Sequence, residues 1–333
     1  MEGADSAACF GDRLAERVLT RQSQLVLGLD PDPARLWPRA VESANGAGVV
    51  ALPGAIQLAT ETASGPASGT IAVRAARAVS AHCALAIEAA GEHCVAVKLQ
   101  VACFERLGAA GWTALSEVAQ CAREHGLLVI ADAKRGDIDV TAIAYGQAYF
   151  GVTSTVYGPV PGLGADALTV NPLLGVDSLT PLADAARERG GGLFVLVRTS
   201  NPGARDVQEL ALEGDGSVSE RLASIVAELG EAGRGSAGIA DVGAVVGATA
   251  PERLESLRGI MPHAVFLLPG IGAQGGRVED LAAAFAPGPA GGLISASRSI
   301  IDAHERIGGD PAAAARRQAA RLREQAWVLG GAS

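Results

Sequence analysis

Residues 129–138 read VIADAKRGDI, so Asp132, Lys134, Arg135 and Asp137 fall within six positions directly after an apolar run. Ion pairs on a protein surface add little stability, so stability alone does not call for this crowding. Anions and ammoniums alternating along one short stretch suit a different task. They can meet charge that develops during a reaction and deliver a proton to it. Lysine use sharpens the point. Of 27 basic residues only Lys98 and Lys134 are lysines. An ammonium gives up a proton where a guanidinium does not. Both lysines also close an apolar run. Biased codon usage is the plain alternative for their scarcity.

Such groups need a frame to hold them. Eight short runs are apolar at nearly every position: 24–30, 94–100, 127–134, 167–172, 193–200, 243–249, 265–271 and 291–298. Runs of this kind suit strands buried on both faces. Between them lie segments with apolar residues three and four apart, most clearly 70–91, 111–126, 141–150 and 177–190, several ending at Gly. Eight alternations of strand and helix predict an α/β fold, a (β/α)8 barrel. An open doubly wound sheet is the runner-up. Residues 11–22 read as a helix capping the barrel bottom, and 311–329 as a closing helix. One domain is expected over 1–333. Its irregular part is an insertion at about 38–69, rich in Gly, Ala, Ser and Pro, which reads as a partly mobile loop, a lid or a small interaction element.

In a barrel, chemistry gathers at the C-terminal strand ends. Here the runs end in Asp30, in Lys98 and Gln100, in Asp132 and Lys134, in Asn171, in Thr199 and Ser200, and in Thr249. Period-two alternation puts Asp132 and Lys134 on one face, with Lys98 reaching in from the neighbouring strand. The expected row is Lys98, Asp132, Lys134, Asp137, each charge sustaining the next. A structural ion network is the alternative for the row, and a helix cap for Asp137 alone. The seventh and eighth runs lead into PGIGAQGG (269–276) and SASRSI (295–300). A Gly-rich backbone free to point its N–H groups at an anion, and Ser297 with Arg298 at a helix start, are suited to an anion such as phosphate. A plain turn beside a surface Arg is the alternative.

Composition narrows the partners. The net charge is −9, so nucleic acid is not expected. No run is long enough to span a bilayer, and the first residues lack a signal-peptide pattern. Five cysteines without paired spacing suggest reduced thiols in a cytoplasmic protein. No nicotinamide, flavin or P-loop pattern is present, and the five histidines are not spaced as metal ligands.

The segment IADAKRGDI resembles the D-x-K-x-x-D signature of the orotidine 5′-phosphate decarboxylase family, and DAKRGDI its longer-chain bacterial subgroup. The resemblance continues in order through GLDP, AVKLQVACFE, LTVNPLLG, TSNPG, VVGATAP, PGIGAQGG and SRSI, covering about 10–329 apart from the insertion. It implies cofactor-free and metal-free conversion of orotidine 5′-phosphate to UMP in pyrimidine synthesis. By resemblance, Asp30 and Lys98 hold the ribose hydroxyls, and Asp132 lies beside the substrate carboxylate. Lys134 is the proton donor to C6, Ser200 binds the pyrimidine, and Gln274 and Arg298 bind phosphate. Asp137 and Thr141 are implied to reach into a second copy's site, hence a homodimer. The barrier reduction implied is about 20 kcal/mol, near the upper end of ordinary enzymatic acceleration. Two departures stand out: Leu99 where Pro is expected in many members, and the length of the insertion.

Other chemistries use similar residues. A relative acting on a sugar phosphate would stabilise an enediolate with Mg²⁺, which Lys98 disfavours. A Schiff-base aldolase would use Lys98 or Lys134, which the flanking acids disfavour by keeping the amine protonated. A nucleotide sensor without turnover is the reading from another class.

Overall fold

The computed structural model describes residues 8–45, 69–214, 216–272 and 274–330. Ten strands occur among them: β1 Leu25–Leu29, β2 Ala96–Gln100, β3 Leu128–Arg135, β4 Val152–Thr155, β5 Gly158–Pro161, β6 Ala167–Val170, β7 Gly192–Arg198, β8 Val242–Val246, β9 Phe266–Pro269 and β10 Gly292–Ala296. Eight close into a barrel in the order β1-β2-β3-β6-β7-β8-β9-β10, and every pairing is parallel. Each of the eight apolar runs supplies one barrel strand, and the predicted (β/α)8 fold is the observed one.

Alternation within each strand sorts the core into two layers. Val97 and Leu99 of β2, and Val129 and Ala131 of β3, face the surrounding helices. Ala96 of β2, with Leu128 and Ile130 of β3, faces the barrel interior. Carried upward, that interior face changes character: Ala96 is followed by Lys98 and Gln100, and Ile130 by Asp132. The floor is therefore apolar and the mouth polar.

The predicted lead-in helix is Phe10–Arg21. Phe10, Leu14 and Val18 repeat every four residues, share one face, and are buried in the interior cluster. The Phe10 ring meets Phe194 edge-on with centroids 6.0 Å apart. Gly192 makes room for it, since a Cβ there would lie 2.6 Å from the Phe10 ring. The predicted closing helix is Pro311–Gly330, packed on the helix Ile71–Ala90.

The structure departs from expectation in two places. The expected insertion at 38–69 does not begin as a loop. Pro38–Ala44 form a helix with Pro at its first position, where the missing N–H costs nothing. Beside it Trp37 is buried, donating Nε1–H to the Ile301 carbonyl at 3.2 Å. Residues 46–68 of the insertion lie outside the described residues. The second departure is the β4–β5 hairpin, which pairs only with itself. Its Thr, Ser and Pro content and its short strands carried no apolar pattern to reveal it. Among the described residues no helix is long and apolar enough to cross a membrane, and all five cysteines are free.

Candidate active site

Asp132, at the upper end of β3, is 6% exposed, as is Lys98 on the adjoining β2. Lys98 Nζ donates to Asp132 Oδ2 at 2.5 Å, and Gln100 Nε2 to the same oxygen at 3.1 Å. Lys134 Nζ donates to Asp132 Oδ1 at 2.6 Å, and Thr169 Oγ1 to that oxygen at 2.9 Å. Each carboxylate oxygen thus takes two donors, and the carboxylate cannot rotate without losing them. Asp30 Oδ1 lies 3.8 Å from Lys98 Nζ on the far side.

The electrostatics follow from this packing. Burial pushes the Asp132 carboxyl up, but the Lys98 and Lys134 ammoniums outweigh it and hold it well below the usual carboxylate range. Burial likewise works against a charged Lys98, and Asp132 and Asp30 overcome it, raising its value. A buried ion cluster of this kind is poor value as a source of stability. Its worth lies in a fixed, ionised carboxylate flanked by two ammoniums.

Lys134 reaches Asp132 by an irregular route. The ladder between β3 and β6 shifts register between Ala131 and Arg135. Lys134 itself has φ +51°, in the left-handed region that side chains rarely adopt. Such a residue costs about 1–3 kcal/mol and persists only where its surroundings impose it. Thr169 Oγ1 accepts the Lys134 backbone N–H at 3.0 Å while donating to Asp132. One hydroxyl therefore fixes both the anion and the ammonium's backbone. The Lys134 side chain is 44% exposed, with its ammonium at the cavity wall.

That cavity, about 370 Å³, is the size of a small-ligand pocket. Asp30, Lys98, Asp132, Lys134, Ser200, Gln274, Ser297 and Arg298 all line it. Close approach of its walls depends on glycines. A Cβ on Gly28 would lie 2.8 Å from Ser297 Cβ. Gly270, at φ +104°, has no Cβ to crowd Ser200, Thr249 and Gln274, each within 3.3 Å of where one would stand. Ser200 is held in place from behind. Its carbonyl accepts from Thr249 Oγ1 at 3.1 Å, and the preceding Arg198 donates to Glu209 Oε1 at 2.7 Å.

Two of the ten residues singled out in the sequence do not join this constellation. Asp137 and Thr141 do not line the cavity. The expected four-charge row is a three-charge row within one chain, because the strand ends at Arg135 and the backbone turns away before Asp137. Nor does Asp137 cap the helix Asp139–Tyr149. Its Oδ1 accepts the Ile138 N–H, at 2.8 Å, outside the helix. Conversely, Thr169 and Gln100 hold Asp132 and received no role from the sequence. Thr169 lies within an apolar run, and only the period-two count from Ala167 places it on the interior face. Among the described residues no cluster of three or more His, Cys, Asp or Glu side chains could hold a metal ion.

A closed parallel barrel with buried charges at the C-terminal strand ends is the architecture of a (β/α)8-barrel enzyme. The sequence profile of the orotidine 5′-phosphate decarboxylase / HUMPS family matches residues 23–318, and the chain belongs to that family. It is an enzyme of the decarboxylase kind. It is 49% identical over 240 residues to orotidine 5′-phosphate decarboxylase of Deinococcus radiodurans, covering 72% of this chain and 81% of that protein. The Rhodopirellula baltica decarboxylase is 45% identical over 231 residues, 69% of this chain and 75% of that one. The solved Leishmania donovani OMP decarboxylase superposes with a TM-score of 0.67 at 30% identity, covering 96% of this chain and 99% of that one.

Proposed function

We propose that this single-domain barrel converts orotidine 5′-phosphate to UMP and CO2 in de novo pyrimidine synthesis, with no cofactor or metal. The observation that carries the reading is the carboxylate of Asp132 held between the ammoniums of Lys98 and Lys134. Breaking the C6–carboxylate bond leaves an electron pair on C6, in the plane of the ring, with no conjugated group to take it. The protein must then supply all the stabilisation as placed charge. Asp132, fixed and ionised, stands beside the substrate carboxylate and favours its departure. The Lys134 ammonium faces the developing carbanion and transfers a proton to C6. The resulting amine regains a proton from solvent.

The remaining groups bind. Asp30 and Lys98 hold the ribose hydroxyls, Ser200 the pyrimidine, and Gln274, Ser297 and Arg298 the phosphate. Phosphate binding far from C6 provides free energy to hold the substrate against the charge row. Asp137 and Thr141 complete the site of a second copy in a cytoplasmic homodimer. The surface around them supports this: Ile138, Val140 and Ile143 on that segment and Leu173 and Leu174 beyond β6 are exposed apolar side chains.

The test is the ultraviolet spectrum of orotidine 5′-phosphate incubated with the purified chain, with and without EDTA. Conversion to the UMP spectrum in both is expected. Nucleotide binding without spectral change would instead indicate a sensor, and loss of turnover in EDTA would indicate metal-assisted chemistry.

A further inference from the structure

Arg135 is the charge of the motif that the chemistry above does not use. It follows Lys134, whose backbone lies in the left-handed region at φ +51°. The β3–β6 ladder is broken on one side of Lys134 and resumes at Arg135, which pairs with Val170. The Arg135 carbonyl accepts the Asn171 N–H at 2.8 Å. Its side chain turns back across Lys134. Nη1 donates to the Ala133 carbonyl at 3.0 Å, so a hydrogen-bonded ring closes around residue 134. Nη2 donates to the Glu105 carboxylate, at the end of the short helix that follows β2. The guanidinium carbon lies 5.7 Å from the centre of the Tyr145 ring and 6.0 Å from that of Tyr149, both on the helix Asp139–Tyr149.

We propose that Arg135 is a positioning residue: its guanidinium, anchored on Glu105 and the two tyrosine rings, holds the end of β3 so that Lys134 presents its ammonium to Asp132 and the reacting carbon. The inference rests on the reading of Lys134 as proton donor. The task needs a planar fork that donates in two directions while lying against aromatic rings, which an ammonium cannot reproduce. It also explains why a strained backbone persists at the residue that does the chemistry. The helices after β2 and β3 are both tied to one side chain, and that side chain brackets Lys134.

The experiment compares the full chain with Arg135→Ala, Arg135→Lys and Glu105→Gln in kcat and KM for orotidine 5′-phosphate and in UMP affinity. A displacement of about 1 Å at a reacting group costs about 100-fold in rate. Both Arg135 variants are therefore expected to lose about 100-fold in kcat, and Glu105→Gln about 10-fold, with KM and UMP affinity within about threefold of the parent. Unchanged kcat, a parallel fall in UMP affinity, or full activity in Arg135→Lys would overturn the proposal. Should Arg135→Ala fail to fold, the other two variants decide. Absence of turnover in the parent would sink the decarboxylase reading instead. The crystal structure of Arg135→Lys then settles the clamp by itself: Lys134 leaves the left-handed region and its ammonium leaves Asp132, or the proposal fails.

Discussion

Lys134 stands 2.6 Å from Asp132, two positions back in the chain, across a break in the strand ladder. A regular strand would also put both side chains on one face, pointing side by side. The shifted register instead folds the ammonium back onto the carboxylate, and bulges next to active sites commonly re-aim side chains in this way. Replacing Lys134 by Ala should therefore abolish turnover while changing UMP binding by no more than about 1–2 kcal/mol, because its work is done mainly in the transition state. Steady-state kinetics and calorimetric titration with UMP separate the two effects.

Asp132→Asn should lower stability as well as activity. It leaves the buried Lys98 facing only Asp30, 3.8 Å away. Removing one partner of a buried pair costs about 3–5 kcal/mol, and Asp30 keeps the loss near the lower end. Chemical denaturation at neutral pH measures it.

The same pair sets a pH dependence. Asp132 has a folded value below its ordinary 3.8, so its contribution is complete above that pH and is lost as pH falls through the depressed folded value. Lys98 has a folded value above its ordinary 10.5, so its contribution is complete below that pH and is lost as pH rises through the raised folded value. Stability measured against pH should fall less steeply on the acid side in Asp132→Asn than in the parent. Identical acid limbs would contradict the assignment.

Thr169→Val removes the hydroxyl that bonds Asp132 and the Lys134 backbone at once. Leaving the buried Asp132 oxygen one donor short and the part-buried Lys134 N–H without its acceptor costs about 1–3 kcal/mol. We expect a loss of that size in stability, a fall in kcat, and recovery of both in Thr169→Ser, which keeps the hydroxyl.

Arg298→Ala should weaken orotidine 5′-phosphate binding and leave binding of the dephosphorylated nucleoside unchanged. A hydrogen bond to a charged group contributes about 1.5–3 kcal/mol, so a loss of about 10- to 100-fold in affinity is expected. An equal loss for both ligands would place Arg298 away from the phosphate.

If Asp137 serves a second copy, then Lys134→Ala and Asp137→Ala chains, each impaired alone, should regain activity when mixed and allowed to exchange. Each heterodimer holds one intact site, so an equal mixture should recover about a quarter of parent activity. No recovery in a mixture shown to contain heterodimers would end the shared-site reading.

Much of this molecule was legible because its signals are local. The barrel strands are short, apolar and evenly spread, and burial on both faces leaves that pattern in the sequence itself. Asp30, Lys98, Asp132, Ser200 and Arg298 could be placed at the mouth because each stands at or just past the end of an apolar run. Lys134 was placed correctly by a rule that does not operate there, since the strand is irregular at that point. The charge of Asp137 alternates with its neighbours, which alone suggests a place in the row, and the turn after Arg135 is invisible to a charge pattern. Thr169 was missed because its importance depends on two partners that the fold brings from another strand. The hairpin was missed because no apolar face marks it.

The lead-in helix has a consequence for traffic. With Phe10, Leu14 and Val18 wedged into the floor, the barrel is a cul-de-sac rather than a tunnel. Whatever enters by the charged end must back out the same way. For a reaction yielding a gas and a nucleotide, the smaller molecule must slip past the larger one or wait behind it, and the doorway becomes part of the timing of each cycle.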